Sequence, residues 1–170
     1  EEIKVKGQTP IYDTVAYTVF GPVIYDAAFA DTVSGQSALA VTWVAHHTGD
    51  EGLAFYKLNR ATSYNEYAEA IKTFECPAQN FVFASKSGDI AIWQQGKFPN
   101  RWQGQGLYVM PGRDSSYMWQ GYIPQEENPH AVNPDRGFLE SANQRPVDGT
   151  YPYFIPGTYI TPRGRAIEYF

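Results

Sequence analysis

A β-hairpin is predicted by the stretch Asn80-Phe81-Val82-Phe83-Ala84-Ser85-Lys86-Ser87-Gly88-Asp89-Ile90-Ala91-Ile92-Trp93. Residues 80–84 and 90–93 are rich in aromatic and β-branched side chains, a composition that is typical of strands. Residues 86–89 lie between them and have the composition of a turn, with a glycine and an aspartate. The stretch therefore predicts two strands that pair antiparallel.

A helix is predicted shortly before the hairpin. Ser63 and Glu66 form a capping box, in which Ser63 caps the first turn and Glu66 reaches back from the third helical position. Apolar residues follow at helical spacing along one stripe: Tyr64, Tyr67, Ala68, Ile71 and Phe74. Pro77 prevents the helix from continuing, so we expect about three turns.

The rest of the chain predicts mostly short strands and ordered loops. Alternating patterns bounded by glycine and proline indicate strands at 3–6, 12–19, 23–25 and 39–44. Residues 96–152 lack sustained periodicity. A stretch this long indicates ordered loops that pack on the surface of a larger protein. The last residues, 163–170, are typical of the first turns of a helix. The sequence therefore predicts an α+β fold, mostly β, with residues 1–170 forming a single partial domain.

Composition excludes several classes of function. The 170-residue chain has a net charge of −5 and no basic stripe, so we expect neither a nucleic-acid partner nor a membrane partner. Hydrophobic residues make up 43% and charged residues 18%, which excludes a disordered tail. The single cysteine excludes an internal disulfide framework and a zinc site of several thiolates.

Aromatic residues are unusually frequent, at 16% of the chain. Such a density is typical of a tyrosine-rich β core, but it also suits a pocket for an aromatic or sugar ligand. A carbohydrate-binding β domain that uses Trp102 or Trp119 is therefore one hypothesis that the sequence leaves open.

Few side chains are placed for metal binding or nucleophilic attack. Cys76 follows the predicted helix and is interpreted as a small buried hydrophobe. His46 and His47 are adjacent in a predicted strand, so they point to opposite faces and cannot serve one metal. An oxygen-rich stretch is interpreted as a surface loop: Glu126, Glu127, His130 and Asp135. We predict no metal and no cofactor in this chain.

Asn143 stands in a more informative context. A segment with apolar residues precedes Asn143, a second amide side chain follows at Gln144, and Pro146 ends the stretch. This pattern suits a strand end that presents an amide donor, whereas an asparagine in an ordinary turn is the alternative.

The surrounding stretch resembles a motif of the penicillin acylase family of N-terminal nucleophile hydrolases. Residues 133–146 match its Asn-Pro-x-x-Gly-(Phe/Tyr)-(Ile/Leu)…Ala/Trp-Asn-Asn-x-Pro pattern. Further family motifs are matched in the same order by residues 18–23, by 80–84 with 88–90, by 111–112 with 119–124, and by 165–168. Together these matches extend over nearly the whole chain.

The resemblance implies a fold, a reaction and two site residues. The family fold is an αββα sandwich with antiparallel sheets. An N-terminal serine, cysteine or threonine attacks an amide carbonyl, and an acyl-enzyme forms and is hydrolysed. By this resemblance Asn143 matches the asparagine that donates to the oxyanion. Arg165 matches, across a one-residue gap, the arginine that lies near the nucleophile and orients the site. The implied substrate is an acylated amine, such as a β-lactam or an N-acyl-homoserine lactone.

The departures from the family pattern are as informative as the matches. The chain begins at Glu1, Phe20 replaces a family histidine, and Gln144 replaces a second asparagine. We therefore expect an internal segment of the acylase β-chain that lacks the nucleophile and is inactive alone. Its partners would be the remaining β-chain segments and the α-chain. The resemblance also implies a periplasmic or secreted protein; the family often binds calcium, but no complete ligand set maps here. A non-catalytic homologue that binds a ligand or a partner is the alternative.

Overall fold

The computed structural model of the chain describes residues 1–25, 38–159 and 161–169. The chain divides into two units. The first comprises Glu1–His46 and Met110–Met118, and the second comprises His47–Val109 and Trp119–Phe170. Of the helices within the described ranges, none has the length and apolar character of a membrane span.

Over the part of the first unit that the structure describes, there are five short strands. They are β1 (Glu2–Ile3), β2 (Ile11–Tyr12), β3 (Tyr17–Thr18), β4 (Gly21–Tyr25) and β5 (Leu39–Ala40). β1 pairs with β2, and the other three form an antiparallel sheet in the order β3-β4-β5. The strands predicted at 3–6 and 39–44 are therefore shorter than the alternation indicated. The single strand predicted at 12–19 is wrong, because two short strands, β2 and β3, lie there and residues 13–16 between them are not in a strand.

The predicted strand at 39–44 is wrong beyond Ala40. Residues Val44–His46 form a turn of 3-10 helix, in which the backbone N–H of His46 donates to the carbonyl of Trp43 (3.1 Å). The interpretation that His46 and His47 point to opposite faces of a strand therefore loses its basis.

Among its described residues, the second unit contains three α-helices and one antiparallel sheet. Its elements are α1 (Glu51–Leu58), α2 (Tyr64–Ile71), β6 (Gln79–Ala84), β7 (Ile90–Gln95), β8 (His130–Val132) and α3 (Pro162–Tyr169). The sheet order is β6-β7-β8. The predicted C-terminal helix is confirmed over the described residues, whereas α1 and β8 were not predicted.

The predicted hairpin is confirmed as β6 and β7. The register runs from Gln79 opposite Gln95 to Ala84 opposite Ile90. Two backbone hydrogen bonds close the turn, from the N–H of Ser85 to the carbonyl of Asp89 (2.9 Å) and from the N–H of Gly88 to the carbonyl of Ser85 (3.1 Å). Gly88 has a φ of 98°, a conformation that glycine adopts without strain.

The predicted helix is confirmed as α2, with a different cap and a shorter length. Ser63 Oγ accepts a hydrogen bond from the N–H of Glu66 (3.3 Å), as expected of an N-cap. The Glu66 carboxylate, however, accepts from the N–H of Thr62 (2.7 Å), one residue before the cap. The helix ends at Ile71, and Phe74 follows in a turn whose N–H donates to the Ile71 carbonyl (2.9 Å).

One face of the hairpin packs against α2 to form the core. Tyr67 and Ile71 of α2 are buried together with Ala91 of β7, which has 0% exposure. The Tyr67 hydroxyl donates to the carbonyl of Phe81 (2.8 Å), so its polar group is satisfied inside the core. Because strand side chains alternate, Asn80, Val82, Ile92 and Gln94 lie on the opposite face.

Asn133 joins the end of β8 to the hairpin turn. Its Oδ1 accepts a hydrogen bond from the N–H of Ile90 (2.8 Å), and its Nδ2 donates to Asp89 Oδ1 (3.0 Å). The pKa of Asp89 is lowered, first by the hydrogen bond from Asn133 and then by the one from Ser87. Deprotonated Asp89 is therefore favoured in the folded protein.

Gly96→Ala should destabilise the second unit. A Cβ at this position would lie 2.7 Å from the Cβ and 2.9 Å from the Cα of Ala78, closer than non-bonded carbons pack. We expect a loss of about 1–3 kcal/mol in the free energy of unfolding by urea. Gly149→Ala is the matched control because a Cβ there meets open space. Equal losses in the two variants would contradict this packing.

Asp89→Asn should remove a pH-dependent part of the stability. A carboxyl with a lowered folded pKa stabilises the fold above its unfolded pKa of about 3.9, and this contribution is lost as the pH falls through the folded pKa. The difference in unfolding free energy between wild type and Asp89→Asn should therefore be constant near neutral pH and shrink in acid. Urea unfolding at pH 7 and at about pH 3 measures it. A difference that is the same at both would contradict the role of Asp89.

Candidate functional site

A cleft of about 530 Å³ lies on the face of the sheet opposite α2. Its floor is formed by β6, β7 and β8, from which Asn80, Ile92, Gln94 and Ala131 line it. Its walls come from residues 139–148 and from Thr158, Tyr159 and Glu168. The lining is mainly amide, hydroxyl and charged groups, so the cleft suits a polar ligand.

The loop that carries Asn143 is braced by its own side chains. Gln144 Oε1 accepts from the N–H of Ala142, and Gln144 Nε2 donates to the carboxylate of Glu140. Glu140 also forms an ion pair with Arg136 (3.7 Å). These contacts restrict the backbone on both sides of residue 143.

A further hydrogen bond ties this loop to the floor of the cleft. Asn80 Nδ2 donates to the hydroxyl of Ser141 (2.7 Å), joining β6 to the loop across 61 positions of sequence. Ala142, the next residue, is buried at 8% exposure. The hairpin therefore supplies both the floor of the cleft and an anchor for its wall.

Asn143 lies at the edge of the cleft in a left-handed backbone conformation. Its φ is 67°, a region that asparagine tolerates better than most residues. Its Oδ1 accepts a hydrogen bond from Nη2 of Arg163. Within the described residues, Nδ2 of Asn143 has no hydrogen-bond partner, so its two N–H groups are available to a ligand.

Arg165 is placed differently from Arg163. It is exposed in α3, its backbone N–H donates to the carbonyl of Thr161 (3.0 Å), and it is not among the described residues that line the cleft. Two positions along a helix correspond to a rotation of about 200°, so the two arginines leave α3 on different sides. The structure thus brings Arg163, and not Arg165, to Asn143.

Arg163 was not among the site residues predicted from the sequence. The only available signal was a second arginine two positions before Arg165 in the same predicted helix. Nothing in the sequence distinguishes the two side chains, because the choice depends on how α3 docks against the loop that holds Asn143.

The other candidate residues serve local structure. Cys76 is partly buried rather than buried, and its N–H donates to Glu51 Oε1 (3.1 Å). Burial, with smaller contributions from Glu51 and Glu75, raises the pKa of its thiol, which disfavours a reactive thiolate. Within the residues that the structure describes, no three histidine, cysteine or acidic side chains gather as a metal site.

The oxygen-rich stretch and Trp119 are engaged in packing. Glu127 accepts a hydrogen bond from the Tyr151 hydroxyl through its carbonyl (2.8 Å) and from the Tyr153 hydroxyl through its carboxylate (2.6 Å). Burial, aided by Tyr153 and Glu127, raises the pKa of Tyr151 to about 12. The Trp119 ring lies beneath the guanidinium of Arg101 at 5.3 Å.

Comparisons with known proteins agree on one family. Residues 1–169 match the family model described as penicillin amidase. Acyl-homoserine lactone acylase QuiP from Pseudomonas fluorescens is 34% identical over 159 residues, which cover 93% of this chain and 19% of that protein. Penicillin acylase 2 proenzyme from a Pseudomonas species is 25% identical over 158 residues, covering 91% of this chain and 20% of that protein. The chain therefore spans about a fifth of these relatives.

A solved structure has a similar fold. It is a thermostable penicillin G acylase from Alcaligenes faecalis in orthorhombic form, with a TM-score of 0.70 and 24% identity. The match covers 92% of this chain and 28% of that chain, and it concerns the fold alone. The α+β fold, mostly β, that the sequence predicts is confirmed.

Proposed function

The chain belongs to the penicillin amidase family, and on that basis we propose that residues 1–170 are an internal segment of an amide hydrolase. The whole enzyme cleaves the amide of an acylated amine, of the β-lactam or N-acyl-homoserine lactone type. The remaining β-chain segments and an α-chain complete it, and it acts in the periplasm or outside the cell. The segment spans about a fifth of its relatives' length, so we expect it to be inactive without the rest of the enzyme.

One observation supports this proposal above the others. Asn143 stands at the edge of a polar cleft with its carbonyl oxygen engaged by Arg163 and its amide N–H groups available. An amide donor fixed in this way is suited to an oxyanion, because a preorganised donor needs no reorganisation as negative charge develops. Arg165 stays a predicted site residue.

The reaction then proceeds in two halves. An N-terminal serine, cysteine or threonine outside residues 1–170 attacks the amide carbonyl, and its own α-amine takes the proton. The C=O π electrons move to the oxygen, and Asn143 Nδ2 donates a hydrogen bond to the oxyanion that forms. The C–N bond breaks, the amine leaves with a proton, and water hydrolyses the acyl-enzyme through a second oxyanion at the same donor.

Asn143→Ala in the full-length gene product should lower kcat/KM for acyl-amide hydrolysis by about 10²- to 10³-fold. The physical reason is the loss of one oxyanion donor, which costs roughly 3–4 kcal/mol of barrier. Hydrolysis of a chromogenic acyl amide measures the effect.

Asn65→Ala is the matched control for this substitution. Asn65 is an exposed residue of α2 outside the cleft, and its loss should change kcat/KM by less than about twofold. Unchanged hydrolysis by Asn143→Ala would contradict the proposed role. A full-length product that hydrolyses no acyl amide would instead favour the alternative, a non-catalytic homologue that binds a ligand or a partner.

A further inference from the structure

Arg101 is a half-buried cation that finds no anion among the residues that the structure describes. All the other arginines and lysines of the chain are exposed except Lys97. Lys97 is paired, because its Nζ donates to both carboxylate oxygens of Glu75 (3.3 and 3.1 Å). The side chain of Arg101 forms neither an ion pair nor a hydrogen bond with any described residue. Burial lowers the pKa of its guanidinium.

The two cations are otherwise built alike. Pro99 and Tyr122 form an isolated antiparallel bridge, which places the chain around Arg101 beside the segment that begins at Trp119. The Lys97 ammonium lies 4.9 Å from the centre of the Tyr122 ring. The Arg101 guanidinium lies 5.3 Å from the centre of the Trp119 ring. Each cation therefore lies over an aromatic ring of the same segment, but only Lys97 also has a carboxylate.

The following loop is shaped around the Arg101 guanidinium. Gly106 has a φ of 83°, and a Cβ at this position would collide with Nη1 of Arg101. The loop that leads to Gly106 is itself ordered, because the N–H of Gln105 donates to the carbonyl of Trp102 (3.0 Å) and Gln105 is buried. Trp119 lies on one side of the guanidinium and this loop lies beside it, so the group is held in place within residues 1–170.

The chemistry of the guanidinium indicates the kind of group that is missing. It carries five N–H donors and no acceptor, in a flat fork that matches the two oxygens of a carboxylate. A charged group that is removed from water without a partner costs free energy, and hydrogen bonds to an opposite charge offset that cost. A carboxylate beside Arg101 would give it the same partner that Glu75 gives to Lys97.

The surface beside Arg101 is typical of one that another protein segment covers. The three residues after Gly106 are apolar or aromatic and strongly exposed: Leu107, Tyr108 and Val109, at 50%, 80% and 79%. Adjoining exposed apolar side chains next to a desolvated charge are characteristic of an interface rather than of a site for a free ion. The relatives are about five times as long as this chain, so they contain further segments that could form such an interface.

We propose that Arg101 forms an ion pair with an aspartate or glutamate side chain from a part of the protein outside residues 1–170. This pair joins the loop at 101–109 to the rest of the enzyme. The inference rests on the proposed function in one respect, that residues 1–170 are a segment of a longer protein. It does not depend on the reaction that this protein catalyses.

The test measures the melting temperature of the full-length gene product in buffer without added carboxylates. Arg101→Met keeps an unbranched side chain that can pack on Trp119, and it removes the charge and the donors. At pH 7 the melting temperature should fall by about 3–8 °C, because the partner carboxylate is left desolvated and unpaired. Arg101→Lys keeps the charge without the fork, so its loss should be smaller. Arg113→Met is the control, an exposed arginine whose loss should change the melting temperature by less than about 1 °C.

The pH dependence of this loss separates an ion pair from simple packing. In the wild type, Arg101 lowers the pKa of its partner carboxyl, which stabilises the fold above the unfolded pKa of about 4. In Arg101→Met the unpaired carboxyl has a raised pKa, so its penalty disappears once it is protonated in acid. The difference between wild type and Arg101→Met should therefore be largest near neutral pH and shrink toward about pH 4. Arg113→Met corrects for the change in net charge.

The outcomes separate the possible partners of Arg101. A loss no larger than that of Arg113→Met, or a loss that is the same at both pH values, would overturn the inference. A loss that appears only with added sodium acetate would also overturn it and would indicate a site for a small carboxylate. If Arg101→Met does not fold, Arg101→Lys carries the same comparison.

A structure of the full-length protein gives the direct readout. We expect a carboxylate oxygen from outside residues 1–170 about 2.7–2.9 Å from a guanidinium nitrogen of Arg101. Solvent at this position would overturn the inference. A full-length product that shows the ion pair but hydrolyses no acyl amide would overturn the proposed function and leave the inference standing.

Discussion

The packing of α2 on one face of the β6–β7 hairpin is the interaction on which the site depends. Tyr67 and Ile71 are buried against Ala91, and the Tyr67 hydroxyl donates a hydrogen bond to the carbonyl of Phe81. Once this face is occupied, the alternation of the strands directs Asn80 and Gln94 to the other side. The polar cleft is therefore a consequence of which face the helix covers.

Local patterns predicted the elements on which this packing is built. The hairpin has two apolar runs and a turn, and α2 has a cap and an apolar stripe, so both were found from sequence. α1 was missed because it buries a single residue, Ala54, and Asp50 forms no side-chain cap. β8 was missed because three residues carry no periodicity. The strand forms because it pairs with β7 and because Asn133, at its end, bonds to Asp89 in the hairpin turn. These partners lie about forty positions earlier in the sequence, so no local pattern reveals them.

The site shows the same division between local and distant determinants. Asn143 was predicted because its neighbours in sequence form a recognisable motif. The choice of Arg163 over Arg165 at Asn143 depends on the docking of Gly164 beside Gln144. That contact joins residues twenty positions apart, and no periodicity in the sequence encodes it. A resemblance can thus point to a candidate residue, whereas the structure shows which side chain contacts it.

We propose that this chain is part of a processed amide hydrolase whose nucleophile lies outside residues 1–170. The decisive experiment is N-terminal sequencing with intact-mass analysis of the gene product, purified from its natural source. We predict two chains, one of which begins with serine, cysteine or threonine and contains residues 1–170. A single product that begins near Glu1 would contradict the claim, because a glutamate side chain cannot replace the N-terminal nucleophile.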